Sequence, residues 1–150
     1  MFRFRLSTLL RLRIAERDER RADLAKALQA EAILREQEQR LMDEQGQLVE
    51  RSRQLKAPGA ADVDALLHAH RYELVLAARR RQLAGQLEQV QAEIQRRRQA
   101  LVEADRQVRV LEKLRERQQA AYAAVQTRHE NKQYDEMATI GHVRRQEVRS

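Results

Sequence analysis

From Leu66 to Val125, eighteen positions spaced alternately by three and four residues carry apolar side chains at thirteen places. A period of 3.5 held over this length keeps one stripe of a helix facing a partner helix through a left-handed supercoil. The five exceptions are Glu73, Arg80, Arg97, Arg115 and Gln118. Composition agrees: more than half of the 150 residues are Ala, Glu, Lys, Leu or Arg, and one proline and four glycines punctuate them. Aromatic residues make up 3% of the chain and Trp is absent, so a compact core would lack its large anchors. A globular enzyme is disfavoured, and a long solvated helical protein is expected.

The one interruption of helical texture is Lys56-Ala57-Pro58-Gly59-Ala60-Ala61. Proline removes a backbone donor and glycine takes left-handed dihedrals, which together end a helix. Asp62 or Asp64 then offers an N-cap for a second helix. Two helices joined by so short a connection run antiparallel. The expected architecture is all-α, a single coiled-coil domain over 1–150 folded as a two-helix antiparallel hairpin whose second helix is the longer. Its parts are helix one at about 4–56, a turn at 57–61, helix two at about 62–140 and a frayed tail at 141–150.

Helix one is the less regular. Leu34, Leu41, Leu48 and Leu55 repeat every seven residues, while Leu10, Ile14, Leu24 and Leu28 lie upstream in a shifted phase. A stutter between 28 and 34 would reconcile the two. Folding the chain about residue 59 aligns Val90 with Leu28, Ile94 with Leu24, Ala104 with Ile14 and Val108 with Leu10. It also sets Arg80 opposite Glu38, and Arg97 near Asp18 and Asp23, as polar layers that fix register. The expected seam on helix two runs through Leu66, Leu76, Leu83, Leu87, Val90, Ile94, Leu101, Val108 and Leu111. Residues beyond about 116 then project past helix one by roughly 50 Å at 1.5 Å per residue.

Chemistry-bearing groups are sparse. No cysteine is present, which excludes disulfides and thiolate ligation. His68 and His70 point to opposite sides of a helix, and no set of ligands has workable metal spacing. Asp135-Glu136 has no pocket to shift its protonation, so no catalytic residue, metal or cofactor is expected and the chain is read as no enzyme. Residues 1–15 carry four Arg and no acid, as organellar presequences do, yet the pattern runs on without a cleavage-like break. No stretch is long and apolar enough for a membrane span, and the chain is expected to be soluble and intracellular.

The formal net charge of +7 is spread nearly evenly along the chain. The Arg triplets 79–81 and 96–98 fan around their helix rather than forming one stripe, which argues against a nucleic-acid-binding face. Only the first thirteen residues are unrelieved, with Arg3, Arg5, Arg11 and Arg13 before the first acid at Glu16. Phe2 and Phe4 are expected to be exposed there, making a docking end for an acidic, partly apolar partner.

Both ends carry a family likeness. Phe4-Arg5-Leu6, Leu9-Leu10 and Leu12-Arg13 resemble the start of FliJ proteins of the bacterial flagellar type III export apparatus. Leu111-Glu112-Lys113-Leu114-Arg115-Glu116-Arg117-Gln118 is similar to the family's LEKLRERQ-type segment, and Glu130, Lys132, Asp135-Glu136 and Ala138 to the stretch that follows it. Tyr134 departs from the pattern, which usually has an aliphatic residue before Asp-Glu. The resemblance implies a non-catalytic stalk that inserts into the ring of the flagellar export ATPase, couples it to the cytoplasmic domain of the export gate and engages export chaperones. It implies a cytoplasmic location, peripheral to the inner membrane at the flagellar base, without membrane insertion or nucleic acid. The ATPase-facing residues expected on this basis are Arg3, Phe4, Arg5, Arg13, Lys113, Arg115, Arg117 and Gln118. Tyr72, flanking the seam, is a candidate for the gate contact. The competing readings are the equivalent stalk of a virulence-type secretion system and a generic coiled-coil scaffold.

Overall fold

The computed structural model describes residues 1–57, 59 and 62–150. Two helices account for most of it: α1, Ser7–Leu55, and the longer α2, Val63–Arg149. No strand occurs among the described residues, and the protein is all-α. Gly59 has φ 90°, the left-handed conformation expected after the end of α1, while Pro58, Ala60 and Ala61 of the expected turn lie outside the described residues. Asp62 caps α2: its Oδ1 accepts hydrogen bonds from the backbone N–H of Asp64 at 3.1 Å and of Ala65 at 3.2 Å.

The helix limits differ from expectation at two places. α1 begins at Ser7 rather than near residue 4, because the first residues serve a different packing described below. α2 does not end at Gly141 but continues to Arg149. A helical glycine costs only about 1 kcal/mol relative to alanine, and no proline lies near this one to break the helix. The hydroxyl of Ser150 then donates to the carbonyls of Gln146 and Glu147, each at 3.3 Å, and satisfies acceptors that the helix end leaves free.

The chain divides into two compact units, one of Met1–Arg17 with Ala104–Ser150 and one of Asp18–Glu103. In the second, α1 and α2 run antiparallel. Tyr72 meets Glu44 and Arg97 meets Asp23, so rising numbers on α2 face falling numbers on α1. Leu76, Leu83, Leu87 and Ile94 of α2 are buried, spaced seven, four and seven, as are Ala27 and Leu48 of α1. Each fully buried Leu or Ile contributes about 1.5–3 kcal/mol of hydrophobic stabilisation.

Three sequence-based expectations for this unit are corrected. Leu28 is 41% exposed, and the adjacent Ala27 takes the seam at 5%. No stutter is needed either. Leu24, Ala27, Glu31, Leu34, Glu38, Leu41, Gln45, Leu48, Ser52 and Leu55 are all buried or half-buried and spaced three and four throughout. One set of layers is Ala or Leu; the other, after Leu24, is Glu, Glu, Gln and Ser, polar groups that an apolar pattern search passes over. Finally, Arg80 does not face Glu38. Its Nη1 donates to Gln45 Oε1 at 3.1 Å, in the polar layer one heptad nearer the turn, while Glu38 pairs with Arg35 at 3.1 Å. Arg97 does reach Asp23, but donates to its backbone carbonyl, with Nε held by Glu93 at 2.9 Å. The Arg97 hydrogen bond, aided by the charges of Arg96 and Arg97 and opposed by desolvation, holds the Glu93 carboxyl below its ordinary 4.5.

Candidate partner-binding surface

The first four residues alternate Met, Phe, Arg, Phe, and Arg5 follows. In a helix, residues two apart point in nearly opposite directions; in extended backbone they share a side. The segment is non-helical, which turns Phe2 and Phe4 together onto α2 and leaves Arg3 and Arg5 exposed. Phe4 is 7% exposed and packs with Leu10 and Val108, against which Phe2, Ile14, Leu111 and Leu114 also lie. Phe2 further meets the ring of Tyr122, with centroids 5.8 Å apart at 48°. The Tyr122 hydroxyl accepts hydrogen bonds from the Met1 amino group at 2.8 Å and from Gln126 Nε2 at 3.0 Å. The bond from the ammonium, against a smaller desolvation effect, lowers the phenol below its ordinary 10.0. A short return of chain thus closes the N-terminal part of α1 onto α2.

This packing corrects the expected site. Phe4 cannot be offered to a partner, because burial against Val108 is where its apolar area is used. Arg13 is half-buried and bound to Glu16 at 2.9 Å. Arg3, Arg5, Lys113, Arg115, Arg117 and Gln118 are exposed, as is Arg11. The two motif-bearing segments meet in one unit: Leu10 and Val108 share a cluster, and Arg17 reaches Asp105 at 3.9 Å, which also holds Arg109 at 2.9 Å. The surface that results has an apolar interior and arginine and lysine outside it. Period-two alternation in Phe-Arg-Phe-Arg was the available sign of this arrangement. Tyr122 stands eleven residues after Leu111 in the same three-and-four spacing, and that spacing is the sign of its place against Phe2.

Beyond Tyr122, every residue of α2 except Gly141 is exposed. Val125, Tyr134, Met137, Ile140 and Val148 are each more than half exposed. The motif residues Glu130, Lys132, Asp135, Glu136 and Ala138 lie on this stretch. Among the described residues, no group of His, Asp and Glu is placed to hold a metal ion, and no helix is long and apolar enough to cross a membrane.

Two antiparallel helices, the second longer than the first, with a heptad seam between them define a coiled-coil protein. The match to known families makes the assignment specific: the family of the flagellar FliJ protein matches residues 1–147, and the chain belongs to that family. Its role is therefore connected with flagellar protein export. No curated protein and no solved structure matches the chain.

Proposed function

We propose that this chain is a non-enzymatic stalk of the flagellar export apparatus, which enters the ring of the export ATPase, couples it to the export gate and engages export chaperones. Such a protein works at the cytoplasmic face of the inner membrane, at the flagellar base. The observation that carries the reading is the family match over nearly the whole chain, together with the basic surface of the unit that holds both termini. Arg3, Arg5, Lys113, Arg115 and Arg117 face acidic loops of the ring, and the exposed helix after Tyr122 supplies apolar contacts through Tyr134, Met137 and Ile140. Phe4 acts indirectly, by holding the chain that carries Arg3 and Arg5 against α2. The gate contact falls on the Tyr72 side of the Asp18–Glu103 unit. There the phenol donates to Glu44 Oε1 at 3.2 Å, and a groove of about 610 Å³ opens over Leu41 and Leu83.

The test is binding and ATPase stimulation with purified export ATPase and the Arg115→Glu/Arg117→Glu chain. Reversing two exposed charges at a complementary interface is expected to weaken association about tenfold or more, chiefly in the on-rate and most at low salt. A variant that remains helical and binds as the parent does would sink the assignment.

A further inference from the structure

Unit Asp18–Glu103 has a second trough, on the side away from Tyr72. Three pockets of about 350, 390 and 490 Å³ lie end to end along the two helices. They form one channel because neighbours share walls. Gln45 belongs to the first two, and Leu48, Val49 and Glu73 belong to the second and third. None of their lining residues borders the groove over Leu41 and Leu83. Along α2 the trough runs from Leu66 to Ala84, about 27 Å at 1.5 Å per residue.

The trough is lined by small and apolar residues, Gly46, Leu48, Val49, Leu66, Ala77 and Ala84, together with the amide of Gln45 and the hydroxyl of Ser52. A side chain added at Gly46 would find nothing within 4 Å, so the backbone there is open to close approach. Apolar residues continue onto both rims. Val49 is 54% exposed with Met42 one heptad before it on α1, and Val63 and Leu74 flank the Leu66–Ala77–Ala84 line on α2. Charge is distributed unevenly. Arg80 and Arg81 stand at one end and Arg53 and Lys56 at the other, with Glu73, near His70 at 3.8 Å, midway. Arg53 is shared with Glu50 at 3.7 Å.

We propose that this trough docks an amphipathic helix of another protein, acidic at both ends and basic or amide-bearing at its middle. A helix suits it because paired helices offer no free backbone edge to an extended peptide, whereas two helices with small residues between them accept a third at the usual 8–10 Å. A second copy of this chain does not suit it. Whether two troughs met parallel or antiparallel, arginine and lysine ends would face arginine and lysine ends.

The proposal is tested with the full chain and two synthetic helices of about 18 residues, long enough to span the trough. Both carry the same leucine and alanine face; one has glutamates at both ends and a lysine midway, the other has these signs reversed. Fluorescence anisotropy is expected to show binding of the acid-ended peptide at least tenfold tighter than the reversed one. Gly46→Leu, which has room in the free protein, is expected to abolish this binding without lowering the unfolding midpoint. Arg80→Glu/Arg81→Glu is expected to narrow the preference between the peptides. Equal binding of the two peptides, or unchanged binding to Gly46→Leu, would overturn the proposal. So would a doubling of mass with concentration that Gly46→Leu removes, which would give the trough to a second copy.

Discussion

Replacing Ala27 or Leu28 by glutamate places the same charge on adjacent residues of α1 and asks which of them faces the seam. Ala27 is 5% exposed, between a half-buried Leu24 and a half-buried Glu31 one turn away. A carboxylate introduced there loses hydration without a partner and adds repulsion from Glu31, a cost of about 3 kcal/mol. Leu28 is 41% exposed, so its replacement forfeits roughly 1 kcal/mol of partial burial and leaves the new charge in water. The difference of about 2 kcal/mol is well outside the error of a urea titration followed by circular dichroism, provided that the m-values agree. Leu76→Ala, at a side chain with 0% exposure, supplies the scale for a true seam position and is expected to cost 2–5 kcal/mol. If Leu28→Glu cost as much as Ala27→Glu, or more, the continuous register of α1 would be wrong. The shifted phase with a stutter between 28 and 34 would then replace it.

Three further outcomes follow from local geometry. Asp62→Ala removes the cap of α2 and is expected to lower stability by about 1 kcal/mol, read in the same titration. Gly141→Ala, at a site with open space around an added methyl, is expected to favour the C-terminal part of α2 locally by about 1 kcal/mol. It should be seen as slower amide exchange near residue 141 with no change in global unfolding. For Glu93 the folded carboxyl titrates below its ordinary 4.5, so its pairing stabilises the fold above that pH and is lost as pH falls through the folded value. An NMR titration is expected to place its midpoint below 4.5 and to move it back toward 4.5 in Arg97→Gln.

What could be read from the chain follows from which forces are periodic. From Leu66 to Leu111 the 3.5-residue repeat follows the stripe of α2 that stays against α1, and burial of Leu76, Leu83, Leu87, Ile94 and Val108 obeys it, whereas Val125, in the same register, is exposed. α1 is harder, because Glu31, Glu38 and Gln45 occupy half-buried seam positions from which long side chains reach past the interface to water, and Ser52 fills another with a small polar group. An apolar pattern sees only the leucines between them, and so takes Leu28 for the residue that Ala27 is. The N-terminal segment escaped for the opposite reason: Phe2 and Phe4 are apolar, but their signal has period two inside a chain otherwise read with period 3.5. Once the non-helical segment packs both rings onto α2, against Tyr122 and Val108, the arginines between and after them become the exposed surface. The basic character of this end is therefore a consequence of its packing. A substitution that frees Phe4 would scatter Arg3 and Arg5 as well, so loss of partner binding in Phe4→Ala, with Lys113, Arg115 and Arg117 intact, is the expected sign that the two are linked.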